Sequence, residues 1–177
     1  MDAVTLLRQQ FETAHQWLEG TMADVTPEQA HWTPPGVANP LGASYAHVVV
    51  SEDLLVNYMV RQATPLCFST WAERTGISEP MPLPGPDWVK YGEWARSVRV
   101  DLPAIREYAQ AVYAATDEYV ASLTSDDLDR SVDLSSVGMG ERTLGWVLGN
   151  LVMAHAHDLM GEISCLKGLQ GAKGYPF

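Results

Sequence analysis

Two histidines, His47 and His155, are the residues of this 177-residue chain whose positions best suit chemistry. Each falls on the apolar stripe of a segment with helical periodicity, so each imidazole is expected to point into a helical bundle. Two neutral imidazoles with one carboxylate form a ligand set that catalytic zinc sites use. The pair therefore predicts a divalent metal centre, in which the ion would lower the pKa of a bound water or thiol and create a nucleophile near neutral pH.

The third ligand of such a centre is an open question. Helical metal sites place paired ligands four residues apart, and the residue four positions after His155 is Leu159, which cannot coordinate. Asp158 and Glu162 follow on the same helix and are the candidates for an oxygen ligand. Zinc or nickel is the expected ion, and Leu159 leaves open whether either binds.

Other interpretations of these residues also stay open. His155 and His157 cannot both face the interior, because two helical positions diverge by about 200°. His47 and His155 could instead be two partly buried histidines that bond to neighbouring carbonyls or carboxylates. Glu52 and Asp53, which lie near His47 in sequence, are interpreted as a solvated edge rather than an acid/base pair.

Four segments with helical periodicity must position these side chains. Apolar stripes begin at Val4, at Leu41, after Asp101 and after Thr143. The second segment, predicted to run from Leu41 to about Arg61, carries His47, and the last, which ends near Gly168, carries His155. Because each stripe needs an apolar partner to leave water, the sequence predicts an all-α four-helix bundle, formed as a single domain by residues 1–177.

The connections between these helices are weaker in pattern. Residues 65–100 are predicted to be one long extended crossover, because prolines at 80, 82, 84 and 86 alternate with other residues. Trp71, Trp88, Tyr91 and Trp94 imply that part of the crossover packs back onto the bundle. Residues 131–140 are predicted to form a small extended ribbon or a loop.

Composition narrows the function classes. With 11 basic and 22 acidic side chains, the net charge is −11, which argues against nucleic acid and anionic membranes as partners. The longest stretch without charge is too short to span a bilayer, for which about 20 residues are needed. The N-terminal residues do not resemble a signal peptide, and the two cysteines do not suggest a disulfide framework, so a reduced cytoplasmic protein is expected.

Several segments together resemble a known family. They are the run from Thr26 to Trp32 with the Pro34-Pro35-Gly36 that follows it, His47 within Ala46-His47-Val48, the run from Leu123 to Leu128, and the stretch from His155 through Gly161-Glu162-Ile163 to Gly171. In order and spacing these resemble the DinB/YfiT-like superfamily of small bacterial helical bundles, over nearly the whole chain.

The resemblance implies a bundle that holds zinc or nickel with three histidines, one on the second helix and a His-x-x-x-His pair on the fourth. His47 and His155 match two of them, and Leu159 departs from the third. Such relatives imply a metal-dependent hydrolase or a thiol-dependent S-transferase, and often a homodimer.

Two further hypotheses do not need the metal. Leu159 and the tryptophans suggest a binding module that keeps a cavity for a small apolar or aromatic ligand and has lost the ion. The third hypothesis is an interaction protein whose exposed faces form the homodimer.

Overall fold

Four long helices account for about half of the chain in the computed structural model, which describes residues 1–84 and 86–177. The first, α1 (Ala3–Met22), begins where the Asp2 carboxylate accepts a hydrogen bond from the backbone N–H of Thr5 at 2.7 Å. A short turn, α2 (Pro27–Ala30), follows it, capped by a reciprocal pair of hydrogen bonds between Thr26 and Gln29. Proline at the first helical position costs this turn no hydrogen bond.

The two helices that carry the predicted site both change their winding. Helix α3 (Leu41–Asp53) continues as a π-helical segment, Leu54–Val60. After the capping residue Thr143, the final helix consists of α6 (Leu144–Trp146), the π-helical segment Val147–Met153 and α7 (Ala154–Leu169). The predicted extents of both helices are therefore confirmed to within a few residues, and their π-helical winding was not predicted.

The third long helix and a hairpin complete the bundle. Helix α5 (Leu102–Ala121) begins at Asp101, whose carboxylate accepts from the backbone N–H of Ala104 at 3.1 Å. The hairpin pairs β1 (Ser131–Asp133) with β2 (Glu141–Thr143) in antiparallel register, with Val132 opposite Arg142. Of the ribbon or loop predicted for residues 131–140, the first strand and the loop are present, and the second strand lies just beyond that range. Short 3₁₀ turns precede the hairpin at Asp126–Asp129 and lie within its loop at Ser135–Val137.

The crossover is less extended than the sequence suggested. Its described part contains 3₁₀ turns at Leu66–Phe68 and Pro86–Lys90 and a short helix, α4 (Tyr91–Ser97). The prediction of an extended path is wrong for these pieces. Leu66–Phe68 and α4 lie outside the run of alternating prolines, which spans only positions 80–86, and Pro86 begins a helical turn, a position that proline tolerates. Trp94 of α4 is 4% exposed and belongs to a core cluster with residues of α3 and α5, so the expected packing onto the bundle is confirmed.

The described side chains form two hydrophobic clusters along the bundle. The larger one lies around Tyr45, Tyr108 and Ile163, and α4 packs onto it through Trp94. The other lies around Phe11, Leu144 and Leu148, beneath the hairpin. In the part of the chain that the structure describes, no helix is long and apolar enough to cross a membrane.

Candidate functional site

The structure brings His47 of α3 and His155 of α7 together. Their Nε2 atoms lie 3.1 Å apart, and the two rings are nearly perpendicular, with centroids 4.9 Å from each other. His157, two positions further along, turns away as expected and lies edge-on against Trp17 of α1. The two side chains chosen from helical register therefore do converge.

Both π-helical segments lie next to this pair. One begins seven residues after His47, and the other ends at Met153, two residues before His155. A π turn adds a residue to the helical repeat and shifts the side chains that follow it, which is why such turns recur at functional sites. The changed winding thus occurs on both helices that supply the histidines.

The outer nitrogen of His47 has an unusual partner. Its Nδ1 lies 3.1 Å from the Sδ of Met81, which belongs to the crossover. A thioether sulfur is a weak acceptor and has no hydrogen to donate. Histidines that hold a metal normally direct this nitrogen to a carboxylate, a carbonyl or water, so Met81 is a weaker orienting partner than a metal centre usually has.

Both imidazoles are neutral at pH 7. Burial away from water, and secondarily the neighbouring His155, lower the pKa of His47 to about 3. Burial also lowers the pKa of His155, although the charge of Asp158 acts in the opposite direction. Desolvation disfavours the charged form, so the pair presents lone pairs and N–H groups rather than positive charge.

Aromatic side chains of the crossover cover His47. Its ring centroid lies 5.7 Å from that of Trp88 and 5.0 Å from that of Tyr91. Trp88 and Tyr91 stack on each other at 4.5 Å, with their planes 15° apart. The sequence placed these aromatic residues near the bundle, but it did not assign them to His47.

The spacing of the pair suits two ligands of one ion. Two nitrogens bound to a tetrahedral zinc, each about 2.0–2.1 Å from it, lie about 3.3 Å apart. The third position does not fit, because the residue there is the aliphatic Leu159, which packs against the larger cluster. Among the described residues, no three His, Cys, Asp or Glu side chains form a group that could hold a metal ion.

Neither candidate carboxylate is grouped with the two histidines among the described residues. Asp158 is exposed on α7. Glu162 is partly buried and its Oε1 accepts a hydrogen bond from the hydroxyl of Ser44 at 3.3 Å. The part of the chain that the structure describes therefore holds the two imidazoles without a third ligating side chain grouped with them, and a role of Asp158 or Glu162 as ligand stays a prediction.

A cavity of about 1250 Å³ opens beside the histidines. Its wall comes from both π-helical segments, the crossover and the hairpin loop, and both His47 and His155 line it. Most of the other lining side chains are aliphatic or aromatic: Leu54, Leu55, Tyr58, Met59, Phe68, Met81, Leu83, Trp88, Val137, Met139 and Leu151. Among the described residues that line it, none is a lysine or arginine, and Asp133 is the one carboxylate.

The interpretation of Glu52 and Asp53 as a solvated edge is wrong. Glu52 is 3% exposed and Asp53 is fully buried. The Asp53 carboxylate accepts hydrogen bonds from the Asn57 amide and the Tyr108 hydroxyl, both at 2.7 Å, and from the backbone N–H groups of Leu66 and Cys67. Its bonds to Leu66 and Cys67 fix the start of the crossover to α3.

Glu52 lies in a similar setting on the neighbouring face. It accepts from the hydroxyl of Thr116 at 2.7 Å, and its other oxygen lies 3.0 Å from the Nε2 of His15. The His15 ring in turn stacks on Tyr113 at 3.8 Å. Sequence reasoning missed both carboxylates because most of the groups that satisfy them lie far away along the chain.

Comparisons with known proteins are consistent with this architecture. A family model of the DinB superfamily matches residues 10–160. A solved structure described as a conserved protein of locus from Enterococcus faecalis has a TM-score of 0.78 and 21% sequence identity, and the match covers 94% of this chain and 96% of that chain. At this identity the likeness shows the fold. No curated protein matches.

Proposed function

Since the chain belongs to the DinB superfamily and no described side chain joins His47 and His155 in a group of three that could hold a metal ion, we propose that it binds a largely apolar small molecule in the cavity beside the pair. The observation that carries this proposal is the wall of the cavity, which is mostly apolar and ends at two neutral imidazoles. Ligand sites are typically of this kind, concave and apolar with a few polar groups that fix orientation.

Apolar surface that remains accessible supports the proposal. Tyr58 is 62% exposed, Phe68 55% and Leu83 49%, and all three line the cavity. Burying such surface is favourable by about 25 cal/mol per Å². A contiguous accessible apolar patch of this kind is a common mark of a binding site.

The charge of the wall narrows the ligand. The described residues of the wall include no lysine or arginine, so a carboxylate or phosphate that enters the cavity would find no counter-ion there. The carboxylate of Asp133 would also repel it. The bound molecule is therefore uncharged or nearly so. An anionic low-molecular-weight thiol is disfavoured for the same reason.

The test is the binding of an uncharged fluorescent probe, N-phenyl-1-naphthylamine, followed by its emission and by calorimetry. We expect saturable binding at one site. Phe68→Ser should weaken it about three- to tenfold, because part of the apolar contact is lost. Phe177→Ser is the matched control, since Phe177 is 70% exposed and lies outside the cavity wall. Non-saturable binding, or equal effects of the two substitutions, would refute the proposal.

A second candidate function is favoured by the 3.1 Å separation of the two Nε2 atoms. In this alternative both histidines hold zinc or nickel, and water together with a donor atom of the bound molecule completes the coordination, which would suit a metal-dependent hydrolase or thiol transferase. Metal analysis of protein purified without a histidine tag decides between the two. Stoichiometric metal, or a melting temperature that rises on addition of zinc, supports this alternative.

The homodimer and the cytoplasmic location stay predictions.

A further inference from the structure

The histidine pair offers a specific set of hydrogen-bonding groups to the cavity. Because the sulfur of Met81 cannot donate, the Nδ1 of His47 that lies against it carries the hydrogen. The Nε2 of His47 then has a lone pair. The Nε2 of His155, 3.1 Å away, carries a hydrogen and donates it to the Nε2 of His47. This assignment of tautomers follows from the partners of each nitrogen. The pair thus contains one donor and one acceptor.

Resting on the proposed function, we infer that the pair anchors the hydroxyl group of a neutral alcohol or phenol, with no metal ion between the rings. The hydroxyl oxygen accepts from Nε2–H of His155, and its hydrogen is donated to Nε2 of His47. One hydrogen bond is replaced by two, and the nitrogens move apart by about 1.5 Å to admit the oxygen. A hydroxyl suits this place because it is both donor and acceptor.

Other polar groups satisfy the pair less well. A carbonyl or ether oxygen accepts from His155 and leaves the lone pair of His47 without a partner, which is unfavourable away from water. A carboxylate only accepts, and the described wall carries no cation to neutralise it. An ammonium group would have to lose its hydration in a mostly apolar cavity.

The aromatic residues around His47 favour a phenol over an aliphatic alcohol. Trp88 lines the cavity, is 39% exposed and stacks on Tyr91, and both rings contact His47. An aromatic ligand whose hydroxyl reaches the pair would bring its ring close to that of Trp88. Offset or edge-to-face contacts between such rings are favourable beyond the area that they bury.

The absence of a third metal ligand grouped with the pair among the described residues also favours an anchor without a metal ion. Leu159 occupies the position at which the third ligand would lie, and its side chain packs into the larger cluster. An ion at the pair would take its remaining ligands from water or from the bound molecule. The hydroxyl, by contrast, is fully satisfied by the two imidazoles alone.

A matched series of ligands tests the inference: naphthalene, 2-naphthol, 2-methoxynaphthalene and 2-naphthoate, each titrated calorimetrically at pH 7 with dipicolinate present to remove metal. We expect 2-naphthol to bind about five- to tenfold more tightly than naphthalene, since one additional hydrogen bond is gained. The methyl ether should show no such gain, and the carboxylate should bind more weakly than naphthalene.

Variants locate the gain at the pair. His47→Phe and His155→Phe should each remove the preference for 2-naphthol while naphthalene still binds, which also shows that each variant is folded. His155→Gln, whose amide can still donate, should keep part of the preference. His157→Phe is the matched control, because that ring lies against Trp17, and it should leave the preference unchanged.

The possible failures are distinguishable. If neither the naphthylamine probe nor naphthalene binds, the proposed function fails and this inference fails with it. If naphthalene binds but 2-naphthol gains nothing, or the gain persists in both histidine variants, only the hydroxyl anchor is overturned. A gain that disappears with the chelator and returns with zinc also overturns it, in favour of the metal.

Should both phenylalanine variants fail to bind naphthalene, Met81→Leu provides the test: we expect it to reduce the preference for 2-naphthol, and an unchanged preference overturns the inference.

Discussion

Helix α3 carries two polar regions that differ in how fully their groups are paired. At its C-terminal end, Asp53 receives four hydrogen bonds from neighbouring groups and is fully buried. Less than two turns earlier, His47 is bonded to a second neutral imidazole and to a weak thioether acceptor. A polar group that the protein satisfies completely stabilises the fold, whereas one that it satisfies weakly remains available to a ligand.

The surroundings of the two regions differ as well, since Asp53 lies among groups that fix the crossover and His47 lies beside an accessible cavity. Asp53 bonds to Leu66 and Cys67 and thereby fixes the start of the crossover, and burial raises the pKa of the Cys67 thiol to about 12, with Asp53 contributing. That thiol is therefore not a nucleophile near neutral pH. His47, in contrast, borders a cavity whose apolar wall is partly accessible. The buried carboxylate that stabilises the fold and the candidate binding site thus lie at different positions along one helix.

The largest expected effect is on the Asp53 region. Asp53→Ala would leave the Tyr108 hydroxyl, the Asn57 amide and two backbone N–H groups without their acceptor, and should lower the free energy of unfolding by about 3–5 kcal/mol. Urea denaturation measures it. The control is Asp158→Ala at an exposed position, with an expected change below about 0.5 kcal/mol. A loss below about 1 kcal/mol for Asp53→Ala would show that the region is not structural.

A substitution at position 159 should change the character of the His47 region. Leu159→His places a third imidazole one turn after His155, which by the family pattern completes a metal centre and should raise zinc affinity by at least about tenfold. Calorimetry with zinc measures this, and the melting temperature should rise with zinc concentration. Leu159→Phe, which adds bulk without a donor, is the control. Equal zinc affinity in the two variants would contradict the assignment of this position.

The pH dependence of stability should report the buried, neutral His47. Its folded-state pKa, about 3, lies below the value of about 6.5 in the unfolded chain. Between these values the unfolded state binds more protons, so stability falls as pH decreases through this window. From pH 7 to pH 5.5 we expect His47 to contribute a loss of about 1 kcal/mol, and His47→Phe to lack that part. Identical pH profiles for the two proteins would show that His47 is not desolvated.

The smallest expected effect concerns the two acidic residues proposed from the sequence as ligands. Asp158→Asn and Glu162→Gln should each change binding of N-phenyl-1-naphthylamine by less than about twofold, because neither residue lines the cavity. Their effect on zinc binding should be equally small. A tenfold loss of zinc affinity in either variant would restore that carboxylate as a ligand and support the metal alternative.

Much of the fold follows from local signals in the sequence. Apolar residues at spacings of three and four identified the four long helices, and Asp2, Asp101 and Thr143 marked starts that the structure confirms. The convergence of His47 and His155 also followed, because their helical register put both on interior faces. Such features depend on residues within a few turns of each other.

The remaining features depend on distant contacts. The buried carboxylates of Glu52 and Asp53 accept hydrogen bonds largely from groups of α5 and the crossover, and no local pattern predicts Thr116 or Tyr108 as partners. The cavity wall combines four separate segments of the chain. The π-helical winding also leaves no clear sequence signature, because Gly149 and Asn150 in Val147–Met153 lower helix propensity without specifying a π turn.

The most direct test is the NMR response of the five histidine side chains to 2-naphthol in metal-free protein, recorded through the long-range couplings of their ring nitrogens. We expect the ring resonances of His47 and His155 to shift and saturate together, while those of His15, His31 and His157 stay unchanged. Rings at positions 47 and 155 that do not respond, or that respond only after zinc is added, would contradict a metal-free binding site at this pair.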